Sequence, residues 1–112
     1  MQLPQESSLL RIFIGEADKF EGKPLYEWIV LMAREQGLAG ATVLRGIMGF
    51  GANSRHIQTF RFDTLSEDLP VIIEIVDTID KLERFLELIE PNIKAGLVTM
   101  EKVEIKIYRF DK

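Results

Sequence analysis

The 112-residue sequence contains no cysteine and only one histidine, His56. The missing cysteines exclude a disulfide framework and thiolate metal ligands, and they fit a reducing compartment. With one imidazole and no thiol, we expect no zinc site. Long apolar runs are also missing, because the longest one in predicted helix, Ile29 to Ala33, is too short to span a bilayer. The N terminus lacks a basic flank and an apolar stretch, so we expect no signal peptide and a cytoplasmic location.

The chain also lacks an excess of basic residues, since 18 acidic and 14 basic side chains leave a net charge of −4. Such a balance argues against a general nucleic-acid or anionic-membrane surface. The length suits a single domain over residues 1–112. A chain of this size buries roughly 65% of its unfolded surface, so it can form a core without disulfides or metals.

Hydrophobic periodicity predicts the order β-α-β, a long insert, and β-α-β again. We predict strands over residues 8–15, 41–47, 69–76 and 103–108, helices over 25–36 and from an N-cap at Asp77 or Thr78 to Pro91, a polar loop over 19–23, and a short ribbon over 56–63. Pro24 suits the first helical turn, and Gly37 is placed to cap the C terminus. Two β-α-β units with right-handed crossovers form a ferredoxin-like split βαβ sandwich, which is an α+β fold.

The third predicted strand is apolar on both faces, and such sheets usually bury both. In the first strand, either Leu10, Ile12 and Ile14 or Arg11 and Phe13 face away from the helices, depending on register. We expect oligomerisation to bury the second face. Part of the first helix, including Trp28, belongs either to the core or to an interface.

The segment from Arg45 to His56 holds three of the eight glycines, two arginines and the only histidine. Backbone N–H groups at Gly49 and Gly51, with a bidentate charge from Arg45 or Arg55, would form an anion cradle. The alternative is a bent hairpin whose glycines satisfy a positive φ or a bulge. Arg45 itself would either pair with Glu74 or line a cleft between subunits.

Two further sites have weaker support. His56 would need an orienting carboxylate to act as a base, and Asp63 is the candidate; otherwise it is an exposed loop histidine. Glu16, Asp18 and Glu21 could ligate a hard metal, but a solvated acidic loop explains them more simply. We therefore expect no metal and no cofactor.

The chain resembles the PII (GlnB-like) signalling proteins over residues 38–90, and over most of its length it is similar to the PII-like branch known as domain of unknown function 190. The matching motifs are Gly22-Lys-Pro-Leu-Tyr26, Gly37-Leu-Ala-Gly-Ala-Thr-Val-Leu-Arg-Gly46, Gly49-Phe-Gly51, His56, Leu69-Pro70, Ile73-Glu-Ile-Val76 and Gly96-Leu-Val98. The resemblance implies the split βαβ fold and a homotrimer with its sheets packed inward. It also implies an adenine-nucleotide cleft between subunits and a long loop that contacts a protein partner, such as a membrane transporter or an enzyme. The matching cleft positions are Thr42, Gly49, Phe50 and Gly51.

The sequence departs from the PII pattern at three places. The Gly-Asp-Gly-Lys type phosphate loop is replaced by Asn92-Ile-Lys-Ala-Gly-Leu-Val98. No lysine occurs between Lys23 and Lys81, and no tyrosine occurs between Tyr26 and Tyr108. These departures argue against ATP and 2-oxoglutarate sensing of the PII kind and leave open whether the cleft still binds ATP.

Together these patterns predict a non-enzymatic regulatory protein that binds a small anionic ligand, with a nucleotide as candidate, between subunits. The predicted ligand-binding residues are Thr42, Arg45, Gly49, Phe50, Gly51 and Arg55, and the loop over residues 46–68 would contact a partner. One alternative is a small enzyme that uses Arg55 and His56 in phosphate or acyl chemistry. Another is a purely structural module whose loop mediates assembly.

Overall fold

A computed structural model describes residues 2–52, 54–60 and 68–111 of the chain. The elements follow in the order β1 (Glu6–Gly15), β2 (Lys19–Phe20), β3 (Lys23–Pro24), α1 (Leu25–Glu35), β4 (Thr42–Arg45), β5 (Met48–Gly51), β6 (Ser54–Thr59), β7 (Pro70–Asp77), α2 (Ile79–Ile89), a 3-10 turn (Glu90–Asn92) and β8 (Leu97–Glu104).

Four strands form the main sheet in the order β4-β7-β1-β8, and each neighbouring pair is antiparallel. Strands β1 and β4 therefore run in the same direction with β7 between them, which is the split βαβ arrangement. Ile12 on β1 lies opposite Ile73 on β7 and Val98 on β8. This topology confirms the predicted ferredoxin-like α+β fold.

The core lies between the sheet and the two helices. Leu10, Ile12 and Ile14 of β1 are buried on this side, so Arg11 and Phe13 point to the opposite face. Burying each such aliphatic side chain stabilises the fold by about 1.5–3 kcal/mol. The remaining buried apolar side chains of this cluster are Leu25, Ile29, Ala33, Val71, Ile73, Ile75, Leu82, Phe85 and Ile89. Trp28 is half-buried against this cluster and packs on Phe20, with ring centroids 4.6 Å apart and ring planes tilted by 47°.

The helix ends are formed by the residues that the sequence indicates. Helix α1 begins directly after Pro24, and its last turn closes in a Schellman motif in which Gly37, at φ 74°, donates to the Arg34 carbonyl. At the start of α2, the Thr78 hydroxyl accepts a hydrogen bond from the Lys81 N–H, so Thr78 is the N-cap. Neither α1 nor α2 is long and apolar enough to cross a membrane, and no other helix occurs in the described part of the chain apart from the 3-10 turn.

The second face of the sheet carries an apolar row, which is the set Leu44, Ile72, Phe13 and Leu97 aligned by register across all four strands. Beside this row, the Arg11 guanidinium lies 2.9 Å from the Glu74 carboxylate and 2.7 Å from that of Glu101. The hydrogen bond to Glu74 is the main cause that raises the pKa of Arg11 above its ordinary value. The face is therefore apolar along one row and charge-paired along the next.

Two predictions about local structure were wrong. The last strand is Leu97–Glu104 rather than residues 103–108, because Val98 and Met100 pack against the core opposite Ile12 and Leu10. The residues after β8 form an extended tail, in which the Tyr108 hydroxyl donates to the Ala39 carbonyl at 2.8 Å.

The predicted polar loop over residues 19–23 is instead a tight hairpin between β2 and β3. Its two turn residues, Glu21 and Gly22, both have positive φ, at 49° and 81°. This is the backbone pattern of a two-residue hairpin turn, and the glycine accommodates it at little cost.

Candidate functional site

The glycine-containing segment folds into a two-stranded ribbon, β5 paired with β6. Met48 lies opposite Thr59 and Gly49 opposite Gln58, and the register shifts between Gly49 and Gly51. A register shift of this kind marks a bulge, so the structure contains the bent hairpin that the sequence allowed. The predicted ribbon over residues 56–63 overlaps β6 only in part, and positions 61–63 lie outside the described residues.

The base of the ribbon is held against β7. The Gly46 N–H donates to the Pro70 carbonyl at 2.7 Å, and the Phe60 N–H donates to the Ile47 carbonyl at 2.8 Å. A Cβ atom at Gly46 would lie 2.9 Å from Pro70 Cγ, and one at Gly49 would lie 3.2 Å from the same atom. Both glycines therefore have a packing role, because they allow the ribbon to approach Pro70 closely.

A cavity of about 290 Å³ lies beside the ribbon. Its lining combines the ribbon, the end of β1 and the start of β8: Phe13, Ile14, Gly49, Phe50, Gly51, Ala52, Gln58, Asp68, Pro70, Gly96 and Leu97. Apart from Gln58 and Asp68, these residues are apolar or glycine. Among the described lining residues there is one carboxylate and no cation, so the cavity suits a flat, largely uncharged group better than a phosphate.

Gly96, just before β8, lines this cavity and lies close to the backbone of β1. A Cβ atom at this position would lie 2.6 Å from the Phe13 carbonyl oxygen and 3.2 Å from Ile14 Cγ2. Only glycine allows the chain to pass so close to the β1 backbone. Gly96, Leu97, Gln58 and Asp68 were not among the predicted site residues. The motif Gly96-Leu-Val98 was the available sequence signal for the first two.

The two predicted arginines occupy different surroundings. The Arg55 guanidinium lies 4.8 Å from the centroid of the Phe50 ring, which places it next to the cavity in a cation–π contact. Arg45 is 3.0 Å from Glu16 and 5.5 Å from the ring centroid of Phe60. Of the two alternatives for Arg45, the pair with Glu74 is therefore wrong.

The strand register explains this error. Arg45 lies opposite Val71, whereas Glu74 lies opposite Thr42, three residues away on β4. Thr42 and Arg45 consequently project to opposite faces of the sheet. In the single chain neither of them lines the ribbon cavity; Thr42 borders a separate cavity of about 410 Å³ beneath the C-terminal tail.

The remaining candidates are dispersed. His56 is exposed on β6, and its proposed partner Asp63 lies outside the described residues. Glu16 pairs with Arg45 and Asp18 accepts from the Gly15 N–H, so both carboxylates have structural contacts. Within residues 2–52, 54–60 and 68–111, no group of three His, Asp or Glu side chains is arranged to hold a metal ion.

Comparison with solved structures defines the class of fold. The chain superposes on CPII, a nitrogen regulatory PII-like protein from Thiomonas intermedia K12 whose structure contains ADP, AMP and bicarbonate, with a TM-score of 0.67. The match covers 89% of this chain and 88% of CPII at 18% sequence identity. The fold is therefore PII-like, as the motifs indicated.

Comparison of sequences defines the family. Residues 7–105 match the family DUF190, described as Uncharacterized ACR, and the chain belongs to this family. A UPF0166 protein of Aquifex aeolicus (strain VF5) is 44% identical over 100 residues, which cover 89% of this chain and 93% of the relative. A UPF0166 protein of Methanocaldococcus jannaschii is 39% identical over 94 residues, covering 83% and 85%.

Proposed function

We propose that this protein is a non-enzymatic, PII-like regulator that binds an adenine nucleotide or a similar anionic ligand in the ribbon cavity. The observation that carries the proposal is the meeting of Gly49, Phe50 and Gly51 with Gly96 and Leu97 around one cavity. Nucleotide-bound CPII, which shares the fold, supports an adenine nucleotide as the first candidate. The loop over residues 46–68, which contains the ribbon, would then report the bound state to a protein partner.

The lining suggests how a nucleotide would be oriented. An adenine ring would pack on Phe50 and the glycine backbone, and the Gln58 amide can both donate to it and accept from it. The Asp68 carboxylate suits an amino group or a ribose hydroxyl but disfavours a phosphate at short range. The phosphates would therefore leave the cavity on the side of Arg55.

The size of the cavity agrees with this orientation. Its volume of about 290 Å³ is at the lower end of the range for small-molecule sites, which is about 300–1,000 Å³. The base and sugar would fill most of it. We therefore expect ADP and AMP to bind with similar affinity, because most of the contacts are made by the part they share.

The same residues support a cleft between subunits of a homotrimer. Phe13 and Leu97 line the cavity and also belong to the apolar row on the second face of the sheet. A neighbouring copy packed against that row would lie at the edge of the cavity and could complete the ligand site. Thr42 is on the same face, opposite Glu74, which would bring it toward the interface.

The ligand is tested by thermal shift with AMP, ADP, ATP, bicarbonate and phosphorylated metabolites. A true ligand at 100 times its dissociation constant adds about 2.7 kcal/mol of apparent stability. We expect the shift with AMP or ADP to disappear in Gly51→Val, because that position lines the cavity and a Cβ there meets nothing within 4 Å. The matched control is Gly40→Ala, a glycine outside this lining that also has open space around it. An unchanged melting temperature of the wild type with every compound would contradict the proposal.

Assembly is tested separately by light scattering. We expect the mass of a trimer at micromolar concentration, and a monomeric mass would remove the intersubunit part of the proposal. Phe13→Glu and Leu44→Glu place a charge in the apolar row and should lower the mass. Lys102→Glu, an exposed position on β8 outside the row, serves as the control.

A further inference from the structure

The ribbon formed by β5 and β6 has two chemically different faces. Side chains alternate along a strand, and Met48 lies opposite Thr59, so Met48, Thr59 and Ile57 share one face. Gly49 and Gln58 form the next pair and project to the other face, where both line the cavity. Gly49 and Gln58 therefore face the cavity, and the opposite face at Met48, Ile57 and Thr59, which we call the outer face, points away from it. Phe50 lies within the register shift and also lines the cavity.

The outer face is apolar and exposed. Met48 is 61% exposed and Ile57 is 62% exposed, and Ile47 at the base of the ribbon is 76% exposed. At the edge of this face, beyond the register shift, the Arg55 guanidinium lies against the ring of Phe50, which lines the cavity and is 56% exposed. Exposed apolar side chains next to an arginine–aromatic pair are typical of the central part of a protein–protein interface.

The charge pattern is one-sided along the sequence of the ribbon and the residues before it. Residues 36–62 contain no aspartate or glutamate, although the whole chain has 18 acidic residues and a net charge of −4. The same segment contains three arginines and the only histidine, and of these arginines Arg45 is paired with Glu16. The ribbon is therefore a locally cationic, apolar projection on an acidic protein.

We propose that the outer face of the ribbon docks into an apolar recess of a partner protein whose rim carries carboxylates. This inference rests on the proposed function, because it specifies the partner that the loop over residues 46–68 would contact. Met48 and Ile57 supply the apolar contact, and Arg55 supplies the charge contact. Complementary charge at the rim sets the orientation and excludes partners with a basic rim.

A protein partner fits these observations better than an anionic membrane. Electrostatic attachment to anionic lipid typically uses clusters of about 4–8 lysines and arginines. The described ribbon has one arginine, Arg55, and the net charge of the chain has the same sign as the lipid. A compact apolar patch with one central arginine is instead typical of a protein interface.

The experiment is a selection of random peptides, displayed on phage, against the full-length protein. We expect the selected peptides to be enriched in aspartate and glutamate together with aromatic or aliphatic residues. Their affinity for the double variant Met48→Ser/Ile57→Ser should fall by about tenfold or more. Arg55→Glu should lose these peptides and retain those in which the acidic residues are replaced by lysine. Leu88→Ser, which removes an exposed apolar side chain on α2, is the control and should bind as the wild type does.

Three outcomes would overturn the inference. These are the absence of any selected peptide, selected peptides that are basic or uncharged, and an equal loss of affinity in Leu88→Ser. A second arm measures co-sedimentation with vesicles of equal parts phosphatidylserine and phosphatidylcholine. Binding to these vesicles that disappears in Met48→Ser/Ile57→Ser would assign the outer face to lipid and would also overturn the proposal.

Failure of this inference can be distinguished from failure of the proposed function. The substitutions at Met48 and Ile57 lie on the face away from the cavity, so the thermal shift with AMP or ADP should persist in the double variant. Loss of peptide binding with an intact nucleotide shift supports the outer face as a separate site. If AMP or ADP raises the melting temperature of the wild type but no acidic, apolar peptides are selected, only the proposed partner of the outer face is contradicted, and the ligand site is not.

Discussion

Gly96→Ala should destabilise the protein, since the space for one methyl group is already filled by backbone. The added Cβ would lie 2.6 Å from the Phe13 carbonyl oxygen, well inside van der Waals contact, and 3.2 Å from Ile14 Cγ2. Phe13 belongs to β1, which pairs with both β7 and β8 at the centre of the sheet, so its carbonyl cannot move without shifting those ladders. Overpacking of this kind costs about 1–3 kcal/mol, and we expect the upper end because the obstacle is backbone rather than a flexible side chain.

The assay is urea and thermal unfolding followed by circular dichroism. A loss of about 3 kcal/mol is a large part of the about 5–15 kcal/mol that stabilises a typical domain. It corresponds to a fall in melting temperature of about 13 °C for a chain of 112 residues. Gly40→Ala is the matched control, because a Cβ there has nothing within 4 Å, and it should stay within about 0.5 kcal/mol of the wild type. If Gly96→Ala melts together with Gly40→Ala, the reasoning from close approach is refuted.

Two further substitutions test single contacts by the same unfolding measurements. Thr78→Ala removes the hydroxyl that accepts from the Lys81 N–H at the start of α2, and it should cost about 1 kcal/mol, whereas Thr78→Ser should retain most of the stability. Tyr108→Phe removes the hydrogen bond to the Ala39 carbonyl, and we expect the free energy of unfolding to fall by about 1 kcal/mol. Amide hydrogen exchange in the tail after Glu104 should become faster. Unchanged exchange in the tail would show that this hydrogen bond does not hold it in place.

The fold was predictable because its main signals are local. The alternation along β1, the nearly continuous apolar run of β7 and the helical spacing in α1 and α2 are each readable from a few neighbouring residues. The faces of β1 were ambiguous because Phe13 is as apolar as Ile12 and Ile14, and only packing against the helices distinguishes them.

The last strand was misplaced for a related reason. It is an edge strand whose exposed positions include Thr99, Glu101 and Lys102, so its periodicity is weak. The following run of Val103, Ile105 and Ile107 alternates more clearly, yet it has no strand partner after the pair of Glu6 and Glu104. The position of the last strand is determined by its pairing with β1 across the sheet, and a local sequence pattern does not contain this information.

The candidate site was predictable only where it is continuous in sequence. Gly49, Phe50 and Gly51 were identified together, and the structure places them around one cavity. Asp68 and Gly96 join that cavity from distant parts of the chain, through the antiparallel pairing of β1 with β7 and β8. The partner of Arg45 could not be predicted, because a pair with Glu74 or with Glu16 depends on which face of β4 Arg45 occupies.

The glycines of the ribbon can now be separated by what each one does. Gly46 and Gly49 are needed for close packing, because a side chain at either position would press on Pro70. Gly51 lines the same cavity, yet a Cβ at this position would meet nothing within 4 Å, so packing against described neighbours does not explain it. Substitutions at Gly46 or Gly49 therefore cannot distinguish a ligand site from a folding requirement, since both hypotheses predict damage. Gly51→Val can, because its side chain would enter the cavity without a Cβ clash. Loss of the nucleotide shift in a variant that keeps the melting temperature of the wild type therefore indicates a ligand in the cavity, whereas a lowered melting temperature indicates that the bulge requires glycine.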